Sequence, residues 1–589
     1  MRKTILVLLA SVALLAAAMR STAAEMKPVA TVSVASYDKL MSSVGTLGQL
    51  AGNPNLARGI EGMLAMFTMG RGLTGVDKTQ PWAVVVLSDG VQPVFRGSPE
   101  DYQKEMAAHL AQYVFIPAEA KQLAMTAKQF PPAANAIKVN DGVYEIQSGP
   151  KTIFAQQKGN WTVIAAEKVH LATAPADPVS LLGDLPKNYL VAVRISVKNL
   201  PPESRESFLK GFHQTIELGK AQRPGESDAE YAGRKLATTV GAECVTTMTN
   251  ELEDLTLGLA VDQSTSNVHL DIEATAQSGT KLADQLATMK AATSQFNGLV
   301  APGAAACGNR VGSLTDADVT RIKQALTIVQ KSATADLANQ GLSADEVKSA
   351  TQMIGDVFDV FGRTADAKKI DAGVTAFLEP DAAAVVGGLA VADGAKLDKV
   401  LKQLVGELQQ SDPDAAKQIK LNAETHEGVR FHTMSLPTPD ESMKPLVGDT
   451  LEIVIGIADD KLLLAAGRDA AGKLKQAIKR SKAAAGKEAP PMHGSLSVGA
   501  LARFVAANGK SDIDKKHAGM AAASLKEAGG KDHLLITVEP VDKGARLRIE
   551  AEEGLIKAVG AAAKNAPMGM PAGGPPGQMP GPGAMPPSP

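Results

Sequence analysis

Four stretches of the chain read as a short strand running into a capped helix, and their recurrence limits the fold more than any other feature. They are Val29 to Val34, Tyr189 to Val197, Ala304 to Ser313 and Gly494 to Gly499. Three others read as a hairpin followed by a helix, beginning at Asp254 ("DLTLGLAVD"), Asp371 ("DAGVTAFLE") and Asp532 ("DHLLITVEP"). A fourth, less regular hairpin spans Trp82 to Phe95 around Asp89-Gly90, a dipeptide suited to tight turns. "IKVNDGVYEI" around Gly142 is matched by "AETHEGVRFH" around Gly428, and "NWTVIAA" by "DKLLLAA". In order, these elements form one series that is then repeated. A period this long predicts two duplicated domains, not a solenoid. The halves run from Glu25 to Asn297 and from Gly298 to Ala563.

Period-two alternation assigns the strands. Val268, Leu270, Ile272 and Ala274 alternate with His269, Asp271 and Glu273, and Leu547, Ile549 and Ala551 with Arg546, Arg548 and Glu550. The polar set predicts a solvated face and hence an antiparallel sheet. Leu397, Val400, Leu401, Leu404, Val405 and Leu408 recur at helical spacing, so their helix should cover the apolar face. The expected fold class is α+β: two duplicated halves, each an antiparallel sheet with helices mainly on one face. Helix starts are read at Ser98-Pro99-Glu100-Asp101 and at Ser343 with Glu346.

Arg2 and Lys3, the largely apolar stretch Ile5 to Ala18 and the small residues Thr22-Ala23-Ala24 make the three parts of a secretory signal over residues 1–24. Ile5 to Ala18 is shorter than the roughly 20 residues a spanning helix needs. The mature chain is therefore expected to start near Glu25, to be periplasmic or extracellular, and to have no membrane span after signal removal. Lys564 to Pro589 is rich in Pro, Gly and Met without periodicity, which predicts a disordered tail. Lysine and arginine total 61 against 63 acids, a balance that gives no footprint for nucleic acid. Aromatic residues are only 4%, which argues against a ring-lined carbohydrate surface. Cys244 and Cys307 could be bridged in an oxidising compartment or stand as two buried thiols.

The run "QRPGESDAEYAGRKLA", the following "NELEDLTLGLAVDQSTSNVHLDIEATAQSGTKLADQL" and the Pro/Gly/Met-rich tail resemble uncharacterised exported proteins of planctomycete type. The likeness covers Gln222 to Leu286 and the tail. It implies secretion and the repeated hairpin-helix layout, and it brings no catalytic residue with it.

Motifs that would carry chemistry each lack a member. "LLLAAGRDAAGKLKQAI" has Gly467 and Gly472-Lys473 at phosphate-loop spacing, but Leu474 stands where a magnesium-binding hydroxyl is needed. "HEGVR" at His426 has Arg430 in place of the second zinc-binding histidine. His426 and His432 could share a strand face, with no third ligand near in sequence. Asp316/Asp318, Asp412/Asp414 and Asp512/Asp514 lack the Gly and distant Glu of a calcium loop, and capping accounts for the first two pairs. Met568 and Met570 offer soft ligands without a preformed site. Ser148, Ser207 and Ser278 begin Ser-x-x-Lys sequences that have no hydrolase partner motif. No catalytic, cofactor-binding or metal-ligating residue is assigned, and His426, His432 and Lys473 are expected to carry no binding or turnover. The expected function is a non-catalytic envelope or secreted protein with an interaction or structural role toward an unidentified protein or apolar ligand. A carrier of apolar ligands in the cell envelope and a hydrolase with an unrecognised site are the alternatives.

Overall fold

The computed structural model describes residues 26–565 except 69, 71, 93–97, 99–104, 106–107, 128–136, 149–150, 338–342 and 527–528. The signal segment, the tail from 566 onward and the Pro99 to Asp101 helix start thus lie outside the described residues.

The first strands in chain order are β1 (Lys27–Val34), β2 (Trp82–Ser88), β3 (Leu110–Ile116), β4 (Ile137–Asn140) and β5 (Val143–Ser148). Then come β6 (Lys151–Lys158), β7 (Trp161–Ala165), β8 (Val191–Ser196), β9 (Leu252–Val261) and β10 (Val268–Ala276). β11 (Ala292–Thr293), β12 (Ala306–Ser313), β13 (Lys369–Glu379), β14 (Ala382–Ala390), β15 (Ile419–His426) and β16 (Val429–Pro437) follow. The last are β17 (Thr450–Ala458), β18 (Lys461–Gly467), β19 (Glu488–Ala489), β20 (Met492–Ser497), β21 (His533–Val541) and β22 (Gly544–Ala551). β11 pairs with β19. The other strands form one 20-stranded antiparallel sheet, so the chain is a mixed helix-and-sheet protein built on a single large sheet.

The centre of that sheet is the pairing of β10 with β22. Outward on one side lie β9, β8, β1, β2, β3, β7, β6, β5 and β4. On the other side lie β21, β20, β12, β13, β14, β18, β17, β16 and β15. The four opening stretches read from the sequence are β1, β8, β12 and β20, and each leads into helical structure. The Asp254, Asp371 and Asp532 hairpins are β9–β10, β13–β14 and β21–β22. The Asp89-Gly90 hairpin does not form, because β2 pairs with β3, some twenty residues further on. Asp89 is instead in buried side-chain contact with His109 Nδ1.

Local chemistry explains much of this. Asp141-Gly142 (φ 51° and 77°) and Glu427-Gly428 (φ 50° and 81°) supply the two positive φ values a tight type I′ hairpin turn requires. The aspartates that begin the hairpins tie them to serines: Ser196 Oγ donates to Asp254 at 2.6 Å, Ser294 Oγ to Asp371 at 2.6 Å and Ser497 Oγ to Asp532 at 3.1 Å. Ser343 and Glu346 form the expected capping box for the helix Ala344–Asp366, and Ser227 with Glu230 forms another for the helix Asp228–Glu251.

Apolar packing occurs on both faces of the sheet. One face carries Phe115 and Val163 under Leu171 and Leu182, and, at the other end, Phe431, Val454 and Leu463 under Leu474 and Ala477 of the helix Ala470–Ala483. Phe296 and Leu299, from the segment between β10 and β12, sink into the second cluster where Gly388 and Gly373 leave room for them. The opposite face carries Ile455, Ile457 and Leu389 under Val360 and Leu397. Helices therefore cover both faces here, in place of the expected single face, because these strands are apolar on both sides. Of the stripe on the helix Gly394–Ser411, Leu397, Val400 and Val405 are buried and Leu404 is exposed.

Candidate functional site

In the middle of the sheet the faces differ from what alternation alone suggests. Directly paired residues on neighbouring strands share a face, so the register can be followed from strand to strand. One such ladder runs Val191, Leu259, Leu270, Ile549 and Ile536 across β8, β9, β10, β22 and β21. It continues through Gly494, Gly308, Val374, Gly387, Leu464 and Ile455 on β20, β12, β13, β14, β18 and β17. The two flanking ladders are of the same kind, for example Leu257, Ile272, Leu547, Val538 and Met492. Across these eleven strands the three ladders hold only apolar residues and glycine, with one exception, Arg310 on β12. Val191, Leu259, Leu270, Val374, Val385 and Leu464 remain between 37% and 50% exposed. Apolar side chains clustered and exposed on one sheet face mark a candidate binding surface.

The polar side of the same strands is the covered one. Asp271, expected on a solvated face, is 1% exposed. Arg548 donates to it through Nε and Nη2, both at 2.8 Å, and Tyr189 Oη donates to it at 3.1 Å. Arg546 donates to Glu273 at 3.1 and 2.9 Å. Burial alone would push the Asp271 carboxyl up, but Arg548 holds it below the usual range. The Tyr189 hydroxyl is pushed up to about 12, by burial first and then by Asp271. Gly258 makes this possible: a Cβ there would overlap the Tyr189 ring. Acids on β10 and arginines on β22 neutralise one another across the junction, so the polar face ties the two strands together, while the apolar face stays partly exposed between the helices that cover Ile455 and Ile457 at one place and Ala274 and Val538 at another.

The residues singled out in the sequence do not converge. Lys473 Nζ lies 4.3 Å above the Phe377 ring and 3.8 Å from Glu379. The turn at Gly467 and Gly472 leads into a helix whose Ala470 N–H donates to Glu452 at 3.1 Å, and the Asp469 carboxylate fills the space beside Gly472. Two carboxylates at that N-terminus repel a phosphate. His426 pairs with Val429 on the Phe431 side of the sheet, whereas His432 sits on the Ile455 side, so the two histidines lie on opposite faces. His432 is buried with Nε2 3.0 Å from Asp398 but not aligned as a hydrogen bond, while Lys402 Nζ donates to Asp398 at 2.7 Å. This grouping, drawn from a helix and a strand, left no sequence signal. Asp318 and Asp412 are caps, accepting from Thr315 N at 3.0 Å and Ala415 N at 3.0 Å, and Asp512 and Asp514 lie in a first helical turn. Ser148 ends β5, Ser207 lies in the helix Pro202–Leu218 and Ser278 precedes the helix Lys281–Ala287. Both cysteines are free, and Cys244 is exposed, not buried. Met568 and Met570 lie outside the described residues. Among the described residues no group of three or more His, Cys, Asp or Glu is placed to hold a metal ion, and no helix is long and apolar enough to cross a membrane.

His432, His493 and His269 all have lowered pKa values, in each case chiefly through burial. The folded chain keeps them neutral while the unfolded chain takes up protons below about 6.5. Stability is then fully present above that pH and is lost as pH falls through it. The urea midpoint should be lower at about pH 5.5 than at about pH 7.5, and His493→Asn should narrow the gap; equal midpoints would contradict this.

No family model, curated protein or solved structure matches the chain.

Proposed function

We propose that the chain is an exported, non-catalytic protein that acts by binding an apolar partner on the open face of its sheet. The observation that carries this reading is the set of apolar ladders across eleven strands, interrupted only by Arg310, in which Val191, Leu259, Leu270, Val374, Val385 and Leu464 stay exposed although helices cover Ile455, Ile457 and Leu389 at one end. The scattering of His426, His432 and Lys473 supports a binding role over a catalytic one. Export rests on the tripartite N-terminal segment and on the likeness to exported planctomycete-type proteins. We also propose that residues 25–297 and 298–563 are two copies of one unit. Support comes from the strand order on the two sides of the β10–β22 pair, which matches position for position.

The neutral dye Nile red tests the binding role. It should bind the purified protein with blue-shifted emission, and Leu259→Asn with Leu270→Asn should remove most of the signal without altering the circular dichroism. Glu539→Gln, on the opposite face, should leave it unchanged. A native protein that fails to shift the dye would overturn the reading.

A further inference from the structure

Resting on the reading of the open face as a binding surface, we propose that its occupant is the acyl chain of an anionic amphiphile, with Arg310 receiving the headgroup. Strand-interior glycine weakens a sheet and often marks a place where something approaches the backbone closely. On the Asp271 face this chain fills such places itself, with Tyr189 over Gly258, Phe296 over Gly388 and Leu299 over Gly373. On the Leu270 face Gly494 and Gly387 have no such occupant. A Cβ at Gly494 would meet nothing closer than 3.6 Å, and one at Gly387 nothing closer than 3.7 Å, so the fold does not require glycine at either position. Gly494 and Gly308 are direct partners, and Gly387 lies two strands beyond Gly308. Together they leave a low trough, walled by Ile536 on one side and Leu464 on the other, with Val374 between Gly308 and Gly387.

The chemistry of the trough suits a hydrocarbon chain better than a protein. Protein interfaces are anchored by Trp, Tyr and Arg within a hydrogen-bonding rim. Between β8 and β17 the three ladders have no Trp or Tyr and no hydrogen-bonding side chain other than Arg310. Backbone groups inside a sheet are already paired, so strand addition is not open to a peptide on this face. An acyl chain needs only apolar surface. Arg310 supplies the charge complement. It is exposed, its cross-strand partners are Met492 and Ala372, and among the described residues it forms no ion pair or side-chain hydrogen bond. A guanidinium beside a hydrocarbon trough offers paired donors to a carboxylate or phosphate.

The full purified chain should be titrated with cis-parinaric acid and with its methyl ester near neutral pH. The acid is expected to bind roughly tenfold tighter than the ester, the size of effect a charge-assisted hydrogen bond gives. Arg310→Gln should remove that difference and leave the ester untouched, and Arg310→Lys should restore part of it. Gly494→Leu, which fills the trough at a position with room for a side chain, should weaken both probes at least tenfold while the protein stays folded. Equal affinity for acid and ester, unmoved by Arg310→Gln, would overturn the proposal and leave the apolar-binding role intact. If neither probe binds but Nile red does, the acyl chain is excluded and an apolar protein partner takes its place. A dimer that dissociates in the Leu270→Asn protein would assign the face to a second copy. Loss of Nile red binding as well would remove the parent reading.

Discussion

Arg548→Ala is expected to lower the unfolding free energy by about 3 kcal/mol, because it strands the buried Asp271 carboxylate without its bidentate partner. The pair is breakable at such cost only because Asp271 is deep; Arg548 itself keeps contact with water, which places the effect at the lower end of the range for buried pairs. Replacing both partners together by apolar residues of similar size should cost far less than either single change, and a double-mutant cycle in urea would measure the coupling. The pH dependence has a defined sign. Asp271 is held below its ordinary value of 3.8, so its contribution is present above that pH and is lost as the pH falls through the lower, folded-state value. A loss of less than about 1 kcal/mol on Arg548→Ala would mean that the β10–β22 junction is held by backbone pairing alone.

Phe296→Ala should cost about 3–5 kcal/mol. The ring is 1% exposed and rests over Gly388, so truncation leaves a hole that neither the sheet backbone nor Leu299 can close. Its position is fixed by the preceding residues: Phe296 N donates to Ser294 Oγ at 2.9 Å, and Ser294 in turn donates to the half-buried Asp371. Thermal unfolding of the purified variant would read the loss, and a shift corresponding to less than about 1.5 kcal/mol would show that this segment can repack.

Local patterns in the sequence identified the strands, because side-chain alternation and Gly-containing turns are properties of a few adjacent residues. They misassigned the environment of the two central faces. His269, Asp271 and Glu273 looked solvated and Leu270 looked covered, yet Asp271 is buried and Leu270 is 39% exposed. Alternation says which residues share a side; what covers that side depends on Tyr189, 82 positions from Asp271, and on Arg548, 277 positions away. The hairpin expected at Asp89-Gly90 does not form for the same reason, since both edges of β2 are taken by β1 and by β3, strands distant from that turn in sequence. The candidate surface was legible only as a list of apolar strand residues. That they form continuous ladders follows from β10 meeting β22, a pairing between distant segments that no local pattern encodes.

That pairing has a consequence for how the surface persists. Had β10 and β22 belonged to separate molecules, their ladder would be an association governed by a dissociation constant, and the row from Val191 to Ile455 would come apart on dilution. With both strands in one polypeptide, separated along the chain by residues 277–543, their meeting is unimolecular and the effective concentration of each for the other is set by the intervening chain. The long apolar row is therefore as complete in one isolated molecule as in a concentrated solution.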